Sequence, residues 1–245
     1  MKADPQMQLL VLDLAGVDAE LLRIRHRLAH LPEDAEIAQL EQQLQTHRDE
    51  AVKAQIAAED VKRETTRLEA EIGTMTQREE KDGALLRDGN LPAKALTELQ
   101  HELGSLSRRR GVLEDELLEV MEQAEAVSAD ELRAGAMVTH VEGQIAEVTE
   151  RRGRTADQAD KDLVDATDKR AALAAKIDAG LLAVYDRQVS AGKVGAGLLR
   201  QRRCGACRME LDRSELSSIA SAAEDEVVRC DECGAILVRT KESGL

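Results

Sequence analysis

The sequence predicts a mainly α-helical protein, a long antiparallel coiled-coil hairpin followed by a small β domain. Three observations lead there. Apolar residues recur at alternating steps of three and four, large aromatic residues are almost absent, and all four cysteines lie near the C-terminus in two C-x-x-C pairs. The first expectation places the hairpin at residues 1–184, with a kink near 31–34 and a tip near 79–92, and the small domain at residues 185–245.

Composition sets the class. Phe and Trp are absent and Tyr185 stands alone, although bulky rings normally supply much of a globular core. Ala, Leu, Glu and Arg dominate and 33% of residues are charged, the profile of long paired helices. No run of about 18 uncharged apolar residues occurs to span a bilayer. The opening MKADPQMQLLVLDLAG lacks the basic start, apolar run and cleavage site of a secretion signal, which points to a cytoplasmic address.

The seam opens with Leu10, Leu14, Val17, Leu21, Ile24, Leu28 and Leu31. A stripe this narrow needs a partner helix along its length. Pro32 interrupts it, because proline is tolerated in a first helical turn but not in a helix interior. The pattern resumes at Ile37 and runs through Leu40, Leu44, His47, Ala51, Ala54, Ala58, Val61, Thr65, Leu68, Ile72 and Met75. His47 and Arg110 occupy seam positions, where polar groups fix register.

The turn residues Lys81-Asp82-Gly83 and Arg87-Asp88-Gly89-Asn90-Leu91-Pro92 mark the tip. The return helix runs from Leu96 to about Ala179, with a phase shift after Val148 that predicts local unwinding. At about 1.5 Å per residue the arms are roughly 100 and 130 Å long, so with Met75 level with Leu96 the return arm overshoots its partner. A parallel homodimer satisfies the same seam.

Cys204-Gly-Ala-Cys207 and Cys230-Asp-Glu-Cys233 stand 22 residues apart. Each C-x-x-C turn presents two thiolates on one side of a loop, and two such knuckles complete a tetrahedral shell around one structural zinc ion. Disulfides would require an oxidising compartment, and a redox dithiol belongs at a helix start within a βαβ unit, which is missing here. Val227–Arg229 and Ala235–Arg239 read as short strands around the second knuckle, the form of a zinc ribbon. Asp212 caps a short amphipathic helix between the knuckles.

From Asp186 to Leu245 ten basic and ten acidic residues cancel, so the formal charge of −14 lies in residues 1–185. An acidic body repels nucleic acid, which leaves Lys193, Arg200, Arg202, Arg203 and Arg208 as candidate phosphate contacts. Those charges also offset bound thiolates, and no aromatic residue is available there to stack bases. The glycines of Ser190–Gly197 lack the Gly-Lys-Ser/Thr ending of a phosphate loop. His26 and His30 read as a solvated helix face. No nucleophile and base are paired and the sulfur shell is full, so neither an enzyme nor a small-molecule substrate is expected.

On these residues the chain resembles a bacterial family that joins a coiled-coil hairpin to a four-cysteine zinc ribbon, the FlgZ-like group. The resemblance rests on Tyr185-Asp186-Arg187, the glycine loop, Cys204-Gly-Ala-Cys207-Arg-Met-Glu-Leu, Val228-Arg-Cys230-Asp-Glu-Cys233-Gly-Ala-Ile-Leu and Leu96-Thr-Glu-Leu-Gln-His-Glu-Leu103. It covers nearly the whole chain and implies nucleic-acid-binding zinc-ribbon proteins, some resembling adaptors for the nitrogen-type sigma factor, flagellar export or type III secretion. Those partners are not carried over, because the Ala- and Arg-rich composition resembles an actinobacterial member.

The leading expectation is a non-enzymatic zinc-binding adaptor that uses rod and ribbon to hold protein partners, with no membrane role. The alternatives are a nucleic-acid-binding ribbon and an RNA-polymerase-associated regulator using Glu79, Glu80, Asp82 and Asp88 as tip acids.

Overall fold

The computed structural model describes residues 1–244. Helix α1 (Pro5–Ala29) starts at an Asp4 cap, whose carboxylate accepts from the Gln6 amide, and its first residue is a proline. Only His30 and Leu31 separate its end from Pro32, which opens helix α2 (Pro32–Asp88). Helix α3 (Ala93–Ala174) follows, then α4 (Ala179–Ser190), which is capped by Asp178.

The chain forms two compact units, residues 1–32 with 151–245 and residues 33–150. The 184/185 boundary, expected where the helical pattern gives way, falls inside α4.

In the unit of residues 33–150, α2 and α3 run antiparallel. Arg48 meets Glu142 at 2.8 Å, Arg110 meets Glu79 at 3.1 Å, and Arg78 pairs with Glu102. Every seam position named in α2 from Ile37 to Met75 is buried or half-buried. Arg110 reaches across from its seam position to Glu79 while also holding Glu114 at 2.8 Å, so it ties the two helices in one register. His47 turns instead to Glu50, at 2.9 Å on its own helix.

The tip needs correction. Helix α2 continues through Gly83 to Asp88, and the turn occupies 89–92, where Gly89 takes a φ of +68°. One helical glycine costs only about 1 kcal/mol, which the neighbouring Ala84, Leu85 and Leu86 tolerate. The later turn shifts the register, so residue 78 faces 102 rather than 75 facing 96. The local unwinding expected after Val148 also fails to break the chain, since α3 is a continuous α-helix from Ala93 to Ala174.

In the other unit, α1 pairs antiparallel with the C-terminal part of α3. Leu21 and Ile24 pack on Ala159 and Ala166, and Arg27 approaches Asp162 at 3.9 Å. Arg170 holds Asp18 at 2.7 Å. Helix α1 therefore accompanies α3 to its end, and the expected overshoot does not occur.

Next comes a four-stranded sheet in the order β2-β1-β4-β3, formed by β1 (Ala196–Arg200), β2 (Arg203–Cys204), β3 (Val228–Arg229) and β4 (Ile236–Val238). Strand β1 runs parallel to β4, while the two outer pairs are antiparallel. Helix α5 (Arg213–Ser221) crosses between the knuckles, with Asp212 accepting from the Glu215 amide at 2.7 Å.

One core joins these pieces: Val11, Leu14, Ile177, Leu181, Tyr185, Ala196 and Ile236. The N-terminus is sewn to the ribbon as well, since the Ala3 amide donates to the Asp225 carbonyl at 2.7 Å and the Val227 amide to the Met1 carbonyl at 2.9 Å. Buried Gln8 donates to the carbonyls of Ala3 and Glu224. Among the described residues, no helix is long and apolar enough to cross a membrane.

Candidate metal centre

Two loops bring four sulfurs together. In the first, β1 and β2 pair through Leu199 and Cys204, after which the chain turns so that the Arg208 amide donates to the Cys204 carbonyl at 2.8 Å. The second repeats this geometry, with the Gly234 amide on the Cys230 carbonyl at 2.8 Å. Both turns place the residue after their second cysteine in the left-handed region, Arg208 at φ +64° and Gly234 at φ +76°. Glycine adopts that conformation freely and arginine does so under strain. At Gly234 an added Cβ would also crowd Arg229 and Gln188.

The sulfurs of Cys204 and Cys233 lie 3.8 Å apart, those of Cys207 and Cys230 lie 3.9 Å apart, and all four fall within 4.8 Å of one another. Four sulfurs around zinc at about 2.3 Å stand about 3.8 Å apart in a regular tetrahedron. A disulfide would require about 2.05 Å. The cluster is thus too open for covalent pairing and fits one tetrahedral ion with no position left for water.

Electrostatics agree with that use. Burial pushes the Cys204 thiol up to about 12 and raises Cys230, whereas the Met209 amide facing its sulfur lowers Cys207. Backbone amides of Ala206 and Cys207 face Cys204, and those of Glu232 and Cys233 face Cys230. Such amides favour sulfur anions, and the charge of a bound dication supplies the rest of what burial withholds.

The surrounding shell holds the loops in place. Gln188 at the end of α4 donates to the Cys233 carbonyl, and Arg229 Nε to the Gly234 carbonyl at 2.8 Å. Glu215 of α5 accepts from the Asp231 amide at 3.2 Å. Leu199, Leu211, Ile219 and Leu237 pack against Cys204 and Cys230.

Sequence reasoning missed Arg239. Its guanidinium donates to the carbonyls of Ile219, Ala222, Ala223, Glu224 and Glu226, closing the C-terminal end of α5 and the loop after it. Open helix carbonyls call for such a cation, but a lone arginine after a strand carries no motif.

The sequence marks Tyr185 as the lone aromatic residue and as part of the family motif, but not what it contacts. It is fully buried, and its hydroxyl donates to Asp18 at 2.7 Å. Burial, then the Asp18 carboxylate, holds the phenol well above its ordinary value. Arg170 bridges Asp18 and Asp186, and the Asp18 hydrogen bond raises its pKa further. A Cβ at Gly195 would collide with the Tyr185 ring, so this glycine lets the loop cross the tyrosine.

The candidate basic residues do not form one free patch. Arg200 and Arg203 face each other across the β1–β2 pair, with Glu242 at 3.4 Å from Arg200 and Glu210 at 3.5 Å from Arg203. Arg202 and Arg208 are exposed left-handed residues, while Lys193 lies apart, beside α1. Of the candidate tip acids, Glu79 is paired with Arg110, Asp82 is 3.8 Å from Arg78, and Glu80 is exposed within α2. Asp88 alone adjoins the turn. His26 and His30 stack at 4.4 Å on an exposed face. Among the described residues, the four cysteines are the one cluster of metal-ligand type.

Comparison with known proteins agrees with this arrangement. The model of the CT398-like coiled coil hairpin domain matches residues 14–193, and that of the C4-type zinc ribbon domain matches residues 203–237. The chain is similar to Uncharacterized protein Rv2229c of Mycobacterium tuberculosis, 41% identical over 239 residues and 98% of each chain. It is also similar to Uncharacterized protein ML1638 of Mycobacterium leprae, 37% identical over 232 residues, 93% of this chain and 98% of the other. A solved structure from Mycobacterium smegmatis superposes with a TM-score of 0.83 at 40% identity, covering 98% of this chain and all of that one. CT398 from Chlamydia trachomatis gives 0.62 at 16% identity, covering 96% and 98%, a likeness of fold. The ribbon match and the sulfur geometry agree on one structural zinc ion.

Proposed function

Because the chain belongs to the CT398-like coiled-coil hairpin family and carries a C4-type zinc ribbon, with actinobacterial relatives, we propose that it is a non-enzymatic adaptor that uses its zinc ribbon and helical surfaces to hold protein partners. A hairpin and a ribbon support a structural and interaction role. The finer reading rests chiefly on exposed apolar residues of the hairpin unit.

Val52 and Ile56 on α2 and Leu118, Met121 and Leu132 on α3 are each at least half exposed. None belongs to the seam, so the pairing of α2 with α3 leaves them in water. Exposed apolar groups on paired helices favour protein contacts, and Met121 and Leu132 line one hollow with Thr65 of α2.

The test is affinity capture from native lysate on the full chain, with and without nuclease, beside the Met121→Glu/Leu132→Glu variant. The proposal expects protein retained by the wild type whatever the nuclease, and lost by the variant. Retention abolished by nuclease would favour nucleic acid instead, and equal retention by the variant would remove the hairpin face from the reading. Nucleic-acid binding by the ribbon is less well supported, because Glu242 and Glu210 oppose Arg200 and Arg203. Use of tip acids on RNA polymerase is weakened likewise, since Glu79 is committed to Arg110.

A further inference from the structure

A cavity of about 330 Å³ opens between α1, the end of α4 and the loop of residues 192–195. A site of that size accommodates a few side chains. Its α1 wall consists of Ala15, Asp18, Ala19, Leu21, Leu22 and Arg25, and all of these but Leu21 recur at steps of three and four on one helix face. The seam residues Leu14, Val17, Ile24 and Leu28 follow a different line that meets the cavity only at Leu21, so α1 presents a second face here. Val189 and Val194 complete the apolar wall, and Lys193 joins the lining from the loop.

Charge within the cavity divides cleanly. Asp18 accepts from Tyr185 and Arg170, and Arg170 also holds Asp186, so these groups satisfy one another. The other two charged lining residues, Arg25 and Lys193, are both cations, both exposed, and neither is paired with an acid among the described residues. Beside them Leu22 is 66% and Val194 is 51% exposed.

Sequence context strengthens the contrast. The chain carries a formal charge of −14, yet Leu21–Pro32 holds Arg23, Arg25 and Arg27 without an acid, and Arg187–Arg208 is equally free of acids. The fold brings these two acid-free segments together at this cavity.

We propose that the cavity docks an acidic protein segment bearing a large apolar side chain, which enters between Leu22 and Val194 while neighbouring carboxylates meet Arg25 and Lys193. This rests on the interaction reading above and assigns it a second, chemically distinct surface. Apolar walls favour such a segment over nucleic acid, because the one aromatic ring at the site, Tyr185, is fully buried and presents no face for a base. Cations at the rim steer the acid and the apolar slot holds it.

The experiment selects random twelve-residue peptides on immobilised, zinc-loaded full-length protein, then measures fluorescein-labelled winners by anisotropy. Expected winners combine Leu, Met or Phe with nearby Asp or Glu. Their affinity falls at least tenfold in Arg25→Glu/Lys193→Glu and in Leu22→Asp, and stays unchanged in Met121→Glu/Leu132→Glu. Circular dichroism checks that each variant folds, and Lys193→Ala serves as a milder charge removal. The proposal fails if no peptide is enriched, if winners lack acids, or if charge reversal leaves affinity intact. It fails equally if labelled oligo-dT binds through Arg25 and Lys193 while peptides do not. Loss of the peptide result with hairpin capture intact would remove this cavity alone.

Discussion

The two compact units contain similar numbers of residues but differ in how they bury them. In residues 33–150 the buried apolar side chains are Leu44, Leu68, Leu113, Val141 and Val148, spaced along a seam where each helix turn repeats the last. The other unit contains all the rest, among them Leu14, Tyr185, Leu199 and Ile236. Its contacts join residues distant in sequence: Met1 with Val227, Asp18 with Tyr185, Ala196 with Ile236. A seam can lose one turn and keep its neighbours, whereas a core closed by both ends of the chain and a metal stands or falls together.

The strongest way to break this comparison is Cys204→Ser. Structural zinc contributes on the order of 10 kcal/mol, so the variant should retain no stoichiometric zinc, and melting followed by circular dichroism should show an early loss confined to a minority of the helix signal. Loss of the whole helical signal in one transition would make the units a single cooperative body.

A paired substitution sharpens it. Leu14 and Leu68 are equally buried, but Leu14 belongs to a core closed on several sides and Leu68 to a two-helix seam. Leu14→Ala should cost about 3–5 kcal/mol and Leu68→Ala about 2, because the seam can admit water or relax. Urea titration of both variants measures the difference, and equal costs would deny it.

Within the unit that carries the zinc site, Tyr185→Phe removes the hydroxyl donated to half-buried Asp18 and should cost about 1–2 kcal/mol by the same titration. No measurable change would mean that Arg170 alone satisfies the carboxylate. The knuckles supply the smallest effect and one of opposite sign. Arg208→Gly should relieve a left-handed arginine and stabilise the zinc-bound protein by about 1 kcal/mol, seen as slower zinc transfer to a chelator. Faster transfer would show that the Arg208 side chain supports the loop.

Much of this was legible in the sequence because the physics is periodic or local. The seam follows from steps of three and four, the cysteine pairs from their spacing, and the Asp212 cap from its place before an amphipathic run. The tip was placed early because Gly83 looks like a breaker, yet a single helical glycine is cheap when a paired seam surrounds it. The pairing of Ala3 with Asp225 was invisible, since backbone hydrogen bonds leave no mark on side-chain pattern. The same holds for the parallel register of β1 on β4, which sets Ala196 and Ile236 in the core with α1. Arg239 was hidden because its partners are carbonyls, which every sequence carries.

The most direct measurement of the central claim is hydrogen exchange on the full-length protein before and after zinc is removed by a chelator. If the metal closes a core shared by both chain ends, removal should strip protection from residues 1–16 and 177–240 together while amides around Leu44, Leu68 and Leu113 stay protected. Protection lost only within residues 196–240, with the N-terminal helix unchanged, would contradict it.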